Sequence, residues 1–184
     1  DLKSPLNNII SLTHLLKDDY SNLLDEEGNE YINFLNDSAY QLSDMVNGIL
    51  HYSKSSQLLL EDKEYINITQ LIQEVVGLQV IPENCLVYYE TSDKQIFTSR
   101  IALKQILLNL LHNAIRYGNE ENIKIEIFFT ESSSKYTFEI KDNGPGIDPK
   151  NQDKIFDLFE RLQKKTKDGE GSGIGLAIVK RLVE

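Results

Sequence analysis

Residues 142–148 read Asp-Asn-Gly-Pro-Gly-Ile-Asp, and residues 169–176 read Gly-Glu-Gly-Ser-Gly-Ile-Gly-Leu. These two glycine-rich stretches decide the prediction of the fold, because they follow Asn109 and Asn113 of a predicted helix and enclose a pair of phenylalanines. Each signal alone is weak, since a short Gly-x-Gly sequence occurs in many turns. Together, in this order and within roughly seventy residues, they predict a pocket for a nucleoside triphosphate.

The first glycine stretch follows a predicted strand that ends near Asp142. Gly144 and Gly146 allow the backbone to approach a flat ligand closely. A carboxylate at Asp142 can accept a hydrogen bond from the exocyclic amine of adenine. The alternative is an ordinary tight turn, in which Asp-Asn-Gly is common for its backbone angles alone.

The second glycine stretch opens a predicted helix near Gly173, so that free backbone N–H groups and the positive end of the helix dipole face the phosphates. It is not a Walker motif, since no Gly-Lys-Ser/Thr follows. Between the two stretches lies a polar segment whose basic residues include Arg161, Lys164, Lys165 and Lys167. We expect a mobile lid over the triphosphate here, with Phe156 and Phe159 at its base. A solvated loop is the alternative.

The predicted helix over residues 100–117 is mostly apolar, and its polar residues share one face: Gln105, Asn109, His112, Asn113 and Arg116. Carboxamide oxygens are neutral hard ligands suited to Mg²⁺, which bridges substrate phosphates. The Arg116 guanidinium can supply positive charge to the same phosphates. A solvated helix face is the alternative for this stripe taken alone, but the glycine stretches downstream favour a binding site.

The first sixty residues follow a different pattern, a heptad alternation of threes and fours in two series: Leu2, Leu6, Ile9, Thr13, Leu16, Tyr20, Leu23, then Ile32, Leu35, Ala39, Leu42, Val46, Ile49. Two such helices joined by a polar turn predict an antiparallel hairpin. A lone hairpin cannot enclose its apolar stripe, so we expect two copies to form a four-helix bundle. Packing of the stripe on the C-terminal half of the same chain is the alternative.

From about residue 64 short strands alternate with helices. We expect strands at 64–68, 85–90, 95–98, 122–130 and 135–141, with helices at 69–79, 100–117 and from about 173. Thr69 and Ser99 are the expected N-caps of the first two of these helices. The pattern predicts an α+β sandwich with helices on one face of a mixed sheet.

The composition sets the class of protein. Of 184 residues, 40% are hydrophobic and 26% are charged, as in ordinary globular proteins. The net charge of −10 opposes nucleic acid as a partner. No apolar run approaches the ~20 residues that cross a bilayer, so we expect a cytoplasmic module that meets a membrane only through other parts of a parent protein. The single cysteine, Cys85, is expected to be a core residue in a reducing compartment.

These motifs closely resemble the catalytic and ATP-binding domain of bacterial sensor histidine kinases. Residues 109–114 resemble the asparagine box of that family, 142–148 its first glycine box, 156–159 its phenylalanine box and 169–176 its second glycine box. Residues 1–7, Asp-Leu-Lys-Ser-Pro-Leu-Asn, resemble the segment directly after the phosphorylated histidine of the family's dimerisation hairpin.

The resemblance implies two domains: a dimerisation and phosphotransfer hairpin at 1–63, and a catalytic domain at 64–184 whose last strands lie beyond the chain. The acceptor histidine is expected directly before Asp1. His14, two heptads further on, is expected to be a surface histidine, and His51 has no motif around it.

The resemblance also implies roles for individual residues. Asn109 and Asn113 hold Mg²⁺ and phosphate, Asp142 reads adenine, and Arg161 reaches the γ-phosphate. The further nucleotide contacts it implies are His112, Arg116, Tyr117, Gly144, Gly146, Ile147, Gly171, Ser172, Gly173, Gly175 and Leu176. Asp1 orients the acceptor imidazole or takes its proton. The phosphoryl group then passes to an aspartate of a response-regulator receiver domain. Ser4 stands where many relatives hold a Thr or Asn that aligns water for dephosphorylation.

Two other readings stay open at this point. An ATP hydrolase of the gyrase and chaperone type has a similar pocket but carries a glutamate where Asn109 stands, and an amide cannot take a proton from water. The second reading is a catalytically silent dimer that binds nucleotide and docks a regulator.

Overall fold

The computed structural model describes residues 3–58, 60–119, 121–161 and 172–184. Its first two elements are helices α1 (Lys3–Tyr20) and α2 (Glu26–Leu58), which pack together as a hairpin. The turn between them is fixed by polar contacts: the Asp25 carboxylate accepts a hydrogen bond from the Gly28 N–H at 2.8 Å, and the Asn29 amide donates to the Ser21 carbonyl at 3.0 Å. The described residues contain no helix long and apolar enough to span a bilayer.

The hairpin buries only part of the heptad series. Leu6, Thr13, Ile32 and Ala39 are buried between α1 and α2. Six other members of the series are exposed: Ile9, Leu16, Tyr20, Leu35, Leu42 and Ile49. The two helices of one chain therefore cover about half of the apolar seam that the spacing predicts, and the other half faces outward.

The remaining elements form an α/β domain: β1 (Lys63–Asn67), α3 (Ile68–Gly77), β2 (Cys85–Tyr89), β3 (Gln95–Ser99), α4 (Arg100–Tyr117), β4 (Ile123–Glu131), β5 (Tyr136–Asp142) and α5 (Gly175–Val183). Strand β4 pairs in parallel with β2 and antiparallel with β5, while β1 and β3 form a separate antiparallel pair. Two short 3₁₀ helices, Pro149–Asn151 and Lys154–Phe156, follow β5. The predicted fold class, a helical hairpin followed by an α/β domain with a mixed sheet, is confirmed.

The N-cap predicted for α3 is wrong by two residues. The Asn67 side chain, not that of Thr69, caps the helix by accepting a hydrogen bond from the Gln70 N–H at 2.9 Å. The Thr69 hydroxyl instead bonds the backbone of Ser92, donating to its carbonyl at 2.8 Å and accepting from its N–H. Both residue types cap helices well, and the contact with the loop before β3 decides between them.

The main core lies between helices α3 and α4 and the inner faces of the strands. Its most buried members include Ile66, Leu71, Leu107, Leu111 and Ile125. Each such side chain contributes about 1.5–3 kcal/mol when it leaves water. Because the apolar face of α4 is held in this core, the rotation of the helix is fixed, and its polar stripe must point away from the sheet.

An ion-pair cluster joins the outer surfaces of α3 and α4. The Glu74 carboxylate accepts hydrogen bonds from both Lys104 and Arg100. The Lys104 ammonium, and then the Arg100 guanidinium, lowers the pKa of Glu74 below its ordinary value. These ion pairs hold the outer surface of α4 to that of α3.

Candidate nucleotide-binding site

Helix α4 supplies the centre of the candidate site. It begins after Ser99, whose hydroxyl caps the helix by accepting from the Ala102 N–H at 3.2 Å, as the sequence predicts. Two and a half turns later, the Asn109 side-chain nitrogen is buried without a hydrogen-bond acceptor among the residues that the structure describes. A buried amide donor without a partner costs about 1–3 kcal/mol. A donor of this kind is available to a ligand oxygen.

Helix α5 begins against the same side chain. A Cβ atom placed on Gly175 would lie 3.5 Å from the Asn109 Oδ1 atom and 3.7 Å from its Cγ atom. The N-cap residue is Ile174, and within the described part of the chain no side-chain hydrogen bond caps this helix. Its first backbone N–H groups and the positive end of its dipole therefore lie next to the Asn109 amide.

The turn after β5 is packed on the C-terminal end of α4. A Cβ atom on Gly144 would lie 2.3 Å from the Tyr117 carbonyl oxygen, closer than any side chain can approach. The Gly144 N–H donates to the Asp142 carboxylate at 2.8 Å, so the carboxylate is held at the mouth of the turn. The glycine at 144 is thus required by close approach, and it ties Asp142 to α4.

The Asn143 side chain holds this turn to the sheet. The sequence alone had indicated only that Asn143 is part of the turn. The Asn143 amide accepts from the Lys124 N–H at 2.9 Å and donates to the Asn122 carbonyl at 2.7 Å. Three residues later Gly146 takes a left-handed conformation with φ +73°. The Asp148 carboxylate then caps the first 3₁₀ helix, and its bonds to the Lys150 side chain and then to the Lys150 N–H lower its pKa.

The phenylalanine segment meets the second glycine stretch directly. The Phe159 N–H donates to the Gly173 carbonyl at 2.9 Å, and both residues have φ +67°. A Cβ atom on Gly173 would lie 2.9 Å from the Phe159 carbonyl carbon, so glycine is required there too. The left-handed Phe159 is a feature that the sequence did not reveal. Its side chain packs on a cluster that includes Ile174 and Ile178, and the lid that it is predicted to anchor falls on residues 162–171, outside the described residues.

The remaining predicted residues differ in exposure. On α4, Asn113 and Arg116 are half-buried and His112 is exposed, while the Arg116 guanidinium lies 5.6 Å from the centre of the Tyr117 ring. Ser172 and Leu176 are half-buried, Ile147 is exposed, and so are Ser4 on α1 and Arg161 after the phenylalanine segment. Asp1, Gly171 and the lid residues Lys164, Lys165 and Lys167 lie outside the described residues.

The arrangement suits an anionic ligand with a bound cation. Helix α4 packs against both β5 and α5, so one helix carries Asn109 and Asn113 between the Asp142 turn and the start of α5. The unpartnered Asn109 amide and the uncapped helix start offer donors to phosphate oxygens. Amide oxygens suit Mg²⁺. The residues present therefore fit a nucleotide with Mg²⁺.

Two family models match the chain. Residues 98–184 match the "Histidine kinase-, DNA gyrase B-, and HSP90-like ATPase" model. Residues 1–58 match the "His Kinase A (phospho-acceptor) domain" model. The first match covers α4, the Asp142 turn and α5, and the second covers the helical hairpin.

Known proteins match over the whole chain. The phytochrome-like protein Cph1 of Synechocystis sp. is 31% identical over 100% of this chain and 25% of its own length. The aerobic respiration control sensor protein ArcB homolog of Haemophilus influenzae is 28% identical over 100% of this chain and 57% of its own. The chain thus spans about a quarter of the length of the first curated relatives it matches.

Solved structures agree with this match. The structure of full-length ShkA in complex with AMPPNP has a TM-score of 0.63 and 26% identity, over 98% of this chain and 38% of that one. The catalytic domain of the histidine kinase ThkA has a TM-score of 0.55 and 27% identity, over 67% of this chain and 80% of that one.

Proposed function

We propose that this chain, which belongs to the sensor histidine kinase family, binds ATP with Mg²⁺ and transfers the γ-phosphoryl group to a histidine of its hairpin. The division of labour follows the sequence prediction, with the hairpin at 1–63 and the catalytic domain at 64–184. The phosphoryl group then passes to an aspartate of a response-regulator receiver domain.

One observation carries the proposal: among the residues that the structure describes, the buried Asn109 side-chain nitrogen has no hydrogen-bond acceptor, and this side chain lies against the first residue of α5. A protein gains nothing in stability from such a donor. It is accounted for if a phosphate oxygen completes its hydrogen bonding when the nucleotide is bound. The AMPPNP complex of ShkA, a protein of similar fold, supports the same ligand class.

The catalytic domain would act by positioning and by charge. The N–H groups at the start of α5 and the Asn109 amide orient the phosphates, and the Asp142 carboxylate accepts from the adenine amine. Asn109 and Asn113 would hold Mg²⁺, which neutralises charge on the phosphates. Arg116 and Arg161 supply further positive charge. An amide at 109 cannot act as a base toward water, so we expect slow hydrolysis.

The hairpin would act as a dimer. The exposed half of the heptad seam, centred on Ile9, Leu16, Leu35 and Leu42, is an apolar surface that a second copy can cover. Two hairpins then form a four-helix bundle. Asp1 is the residue we assign to orient the acceptor imidazole, and Ser4 would align water for dephosphorylation, less well than the Thr or Asn that many relatives hold there.

Two measurements test the proposal. Asn113→Asp and Asp142→Asn should each abolish the heat of binding of an ATP analogue in calorimetry. Asn33→Asp, which makes the charge change of Asn113→Asp at an exposed position of α2, serves as the control for that variant and should bind normally. Unchanged affinity in the first two variants would refute the pocket assignment.

The second measurement concerns the chemistry. In the protein extended upstream of Asp1, ³²P from labelled ATP should be retained as an acid-labile, base-stable adduct. Normal nucleotide binding without any retained label would indicate the silent module instead of the kinase.

A further inference from the structure

A glycine in the C-terminal half of α2 forms a notch for the catalytic domain. Gly48 is buried on α2, and a Cβ atom there would lie 1.6 Å from the Ile174 Cδ1 atom and 3.0 Å from its Cγ1 atom. Ile174 is 1% exposed and directly precedes α5. An internal helix glycine costs about 1 kcal/mol relative to alanine. Here it allows a side chain of the second glycine stretch to contact the hairpin backbone.

Further contacts extend this interface along α2. The Arg181 guanidinium lies 4.5 Å from the centre of the Tyr52 ring. Tyr52 and Leu58 pack against a cluster of Ala102, Ile174, Ile178 and Leu182. The Ser99 hydroxyl donates to the Leu58 carbonyl at 3.1 Å. Gly48 is thus the first of a series of contacts between the hairpin and α4 and α5.

The pairing of the two hairpin helices shows which part of α1 lies level with Gly48. Thr13 bonds the Asn36 side chain, and His14 bonds the Tyr40 hydroxyl. The two helices are antiparallel and have the same rise per residue. Lys3 lies ten residues before Thr13 and eleven before His14, so its level on α2 is found by counting forward ten residues from Asn36 or eleven from Tyr40. This gives positions of about 46–51 on α2. Gly48 therefore lies level with the first turn of α1. The acceptor histidine is expected just before this turn.

We propose that Gly48 and Ile174 are positioning residues for the phosphoryl transfer. The notch at Gly48 seats Ile174 and thereby holds the start of α5, where the phosphates are proposed to bind, at the level of the acceptor. This inference rests on the proposed kinase function. It adds that the catalytic domain is placed by a contact with α2 of its own chain.

The kinetic test adds one methyl group to the notch. Gly48→Ala should lower the rate of autophosphorylation at saturating ATP by about 10- to 100-fold, the range expected for a misplacement near 1 Å. The affinity for an ATP analogue should stay within about twofold, because the pocket is made by α4, β5 and α5. Gly77→Ala is the matched control, since a Cβ atom there meets nothing within 4 Å.

A second variant separates positioning from damage to the helix. Ile174→Val removes the Cδ1 atom that meets the new methyl group, so Gly48→Ala combined with Ile174→Val should recover most of the rate. Alanine is also a better helix former than glycine, so the helix content of Gly48→Ala, measured by circular dichroism, should not fall below that of the parent protein.

Docking itself is measured by cross-linking. Tyr52 and Asp157 line one cavity of about 470 Å³ between the two domains. With cysteines at both positions and Cys85→Ala removing the native thiol, a short bismaleimide should link them in the parent protein and much less in Gly48→Ala. If Gly48→Ala left the yield of cross-linking unchanged, or left the rate of autophosphorylation unchanged, the inference would be overturned. If the parent protein does not bind ATP, or retains no ³²P label, the proposed function fails. The cross-link still measures docking in that case.

Discussion

Replacing Asn109 with leucine should make the nucleotide-free protein more stable while it removes nucleotide binding. Leucine has the same number of heavy atoms and the same branching as asparagine, but it has no donor to leave unsatisfied. Removing the buried, unpartnered Asn109 nitrogen is expected to recover about 1–3 kcal/mol, and the better helix propensity of leucine adds a few tenths of a kcal/mol.

The assay is urea unfolding with and without an ATP analogue and Mg²⁺. With a urea slope of about 1–3 kcal/mol per M, the midpoint of Asn109→Leu should rise by about 1 M without ligand. Ligand at 100 times its dissociation constant should stabilise the parent protein by about 2.7 kcal/mol and the variant not at all. Asn113→Leu is the control: it should also lose binding, but without ligand its stability should change by only about 0.5 kcal/mol.

A lower midpoint for Asn109→Leu without ligand would refute the reasoning, because the amide would then contribute to the fold. A variant that bound the analogue with unchanged affinity would refute the assignment of Asn109 to the site. Only a gain in stability together with a loss of binding agrees with a side chain that is kept for a ligand.

Three further predictions test other parts of the molecule. Gly144→Ala places a methyl group against the Tyr117 carbonyl and should cost about 1–3 kcal/mol in urea unfolding, with weaker analogue binding; an unshifted midpoint would contradict the close approach. The Glu74 carboxylate, whose pKa is lowered from 4.5, should stabilise the fold above that pH and lose this effect as the pH falls. Glu74→Gln should therefore be less stable than the parent protein at pH 7 and equal to it in acid, and an equal deficit at both would count against the ion pairs. Leu16→Asp should convert a dimer into a monomer in light scattering, and a parent protein that is already monomeric at micromolar concentration would exclude the bundle.

Local signals predicted the elements that depend on local chemistry. Helix α4 was predicted with its bounds because Ser99 caps it and its apolar positions recur with helical spacing. The spacing of Asn109 and Asn113 likewise predicted that both lie on one side of α4. The sequence did not reveal that the Asn109 amide is buried without a partner, since this depends on how closely α5 approaches.

The features that the sequence did not predict depend on contacts between residues that are far apart in the chain. Asn67 and Thr69 are both suitable caps, with Asn the stronger residue type, and the contact of Thr69 with Ser92 further favours Asn67. Gly48 reads in the sequence as a weak point in a helix, and its use emerges only when Ile174 is placed beside it. No pattern signals a left-handed Phe159, because the Gly173 carbonyl that it bonds is fourteen residues away.

The two hydrogen bonds of the Asn143 amide have a consequence for ligand exchange. They clamp the backbone on both sides of Ile123 to the loop that presents Asp142, so this half of the pocket is rigid before any ligand arrives. Little conformational entropy is left to lose there on association. Loosening the clamp, for example with Asn143→Ala, should then shorten the residence time of a bound nucleotide more than it slows its capture.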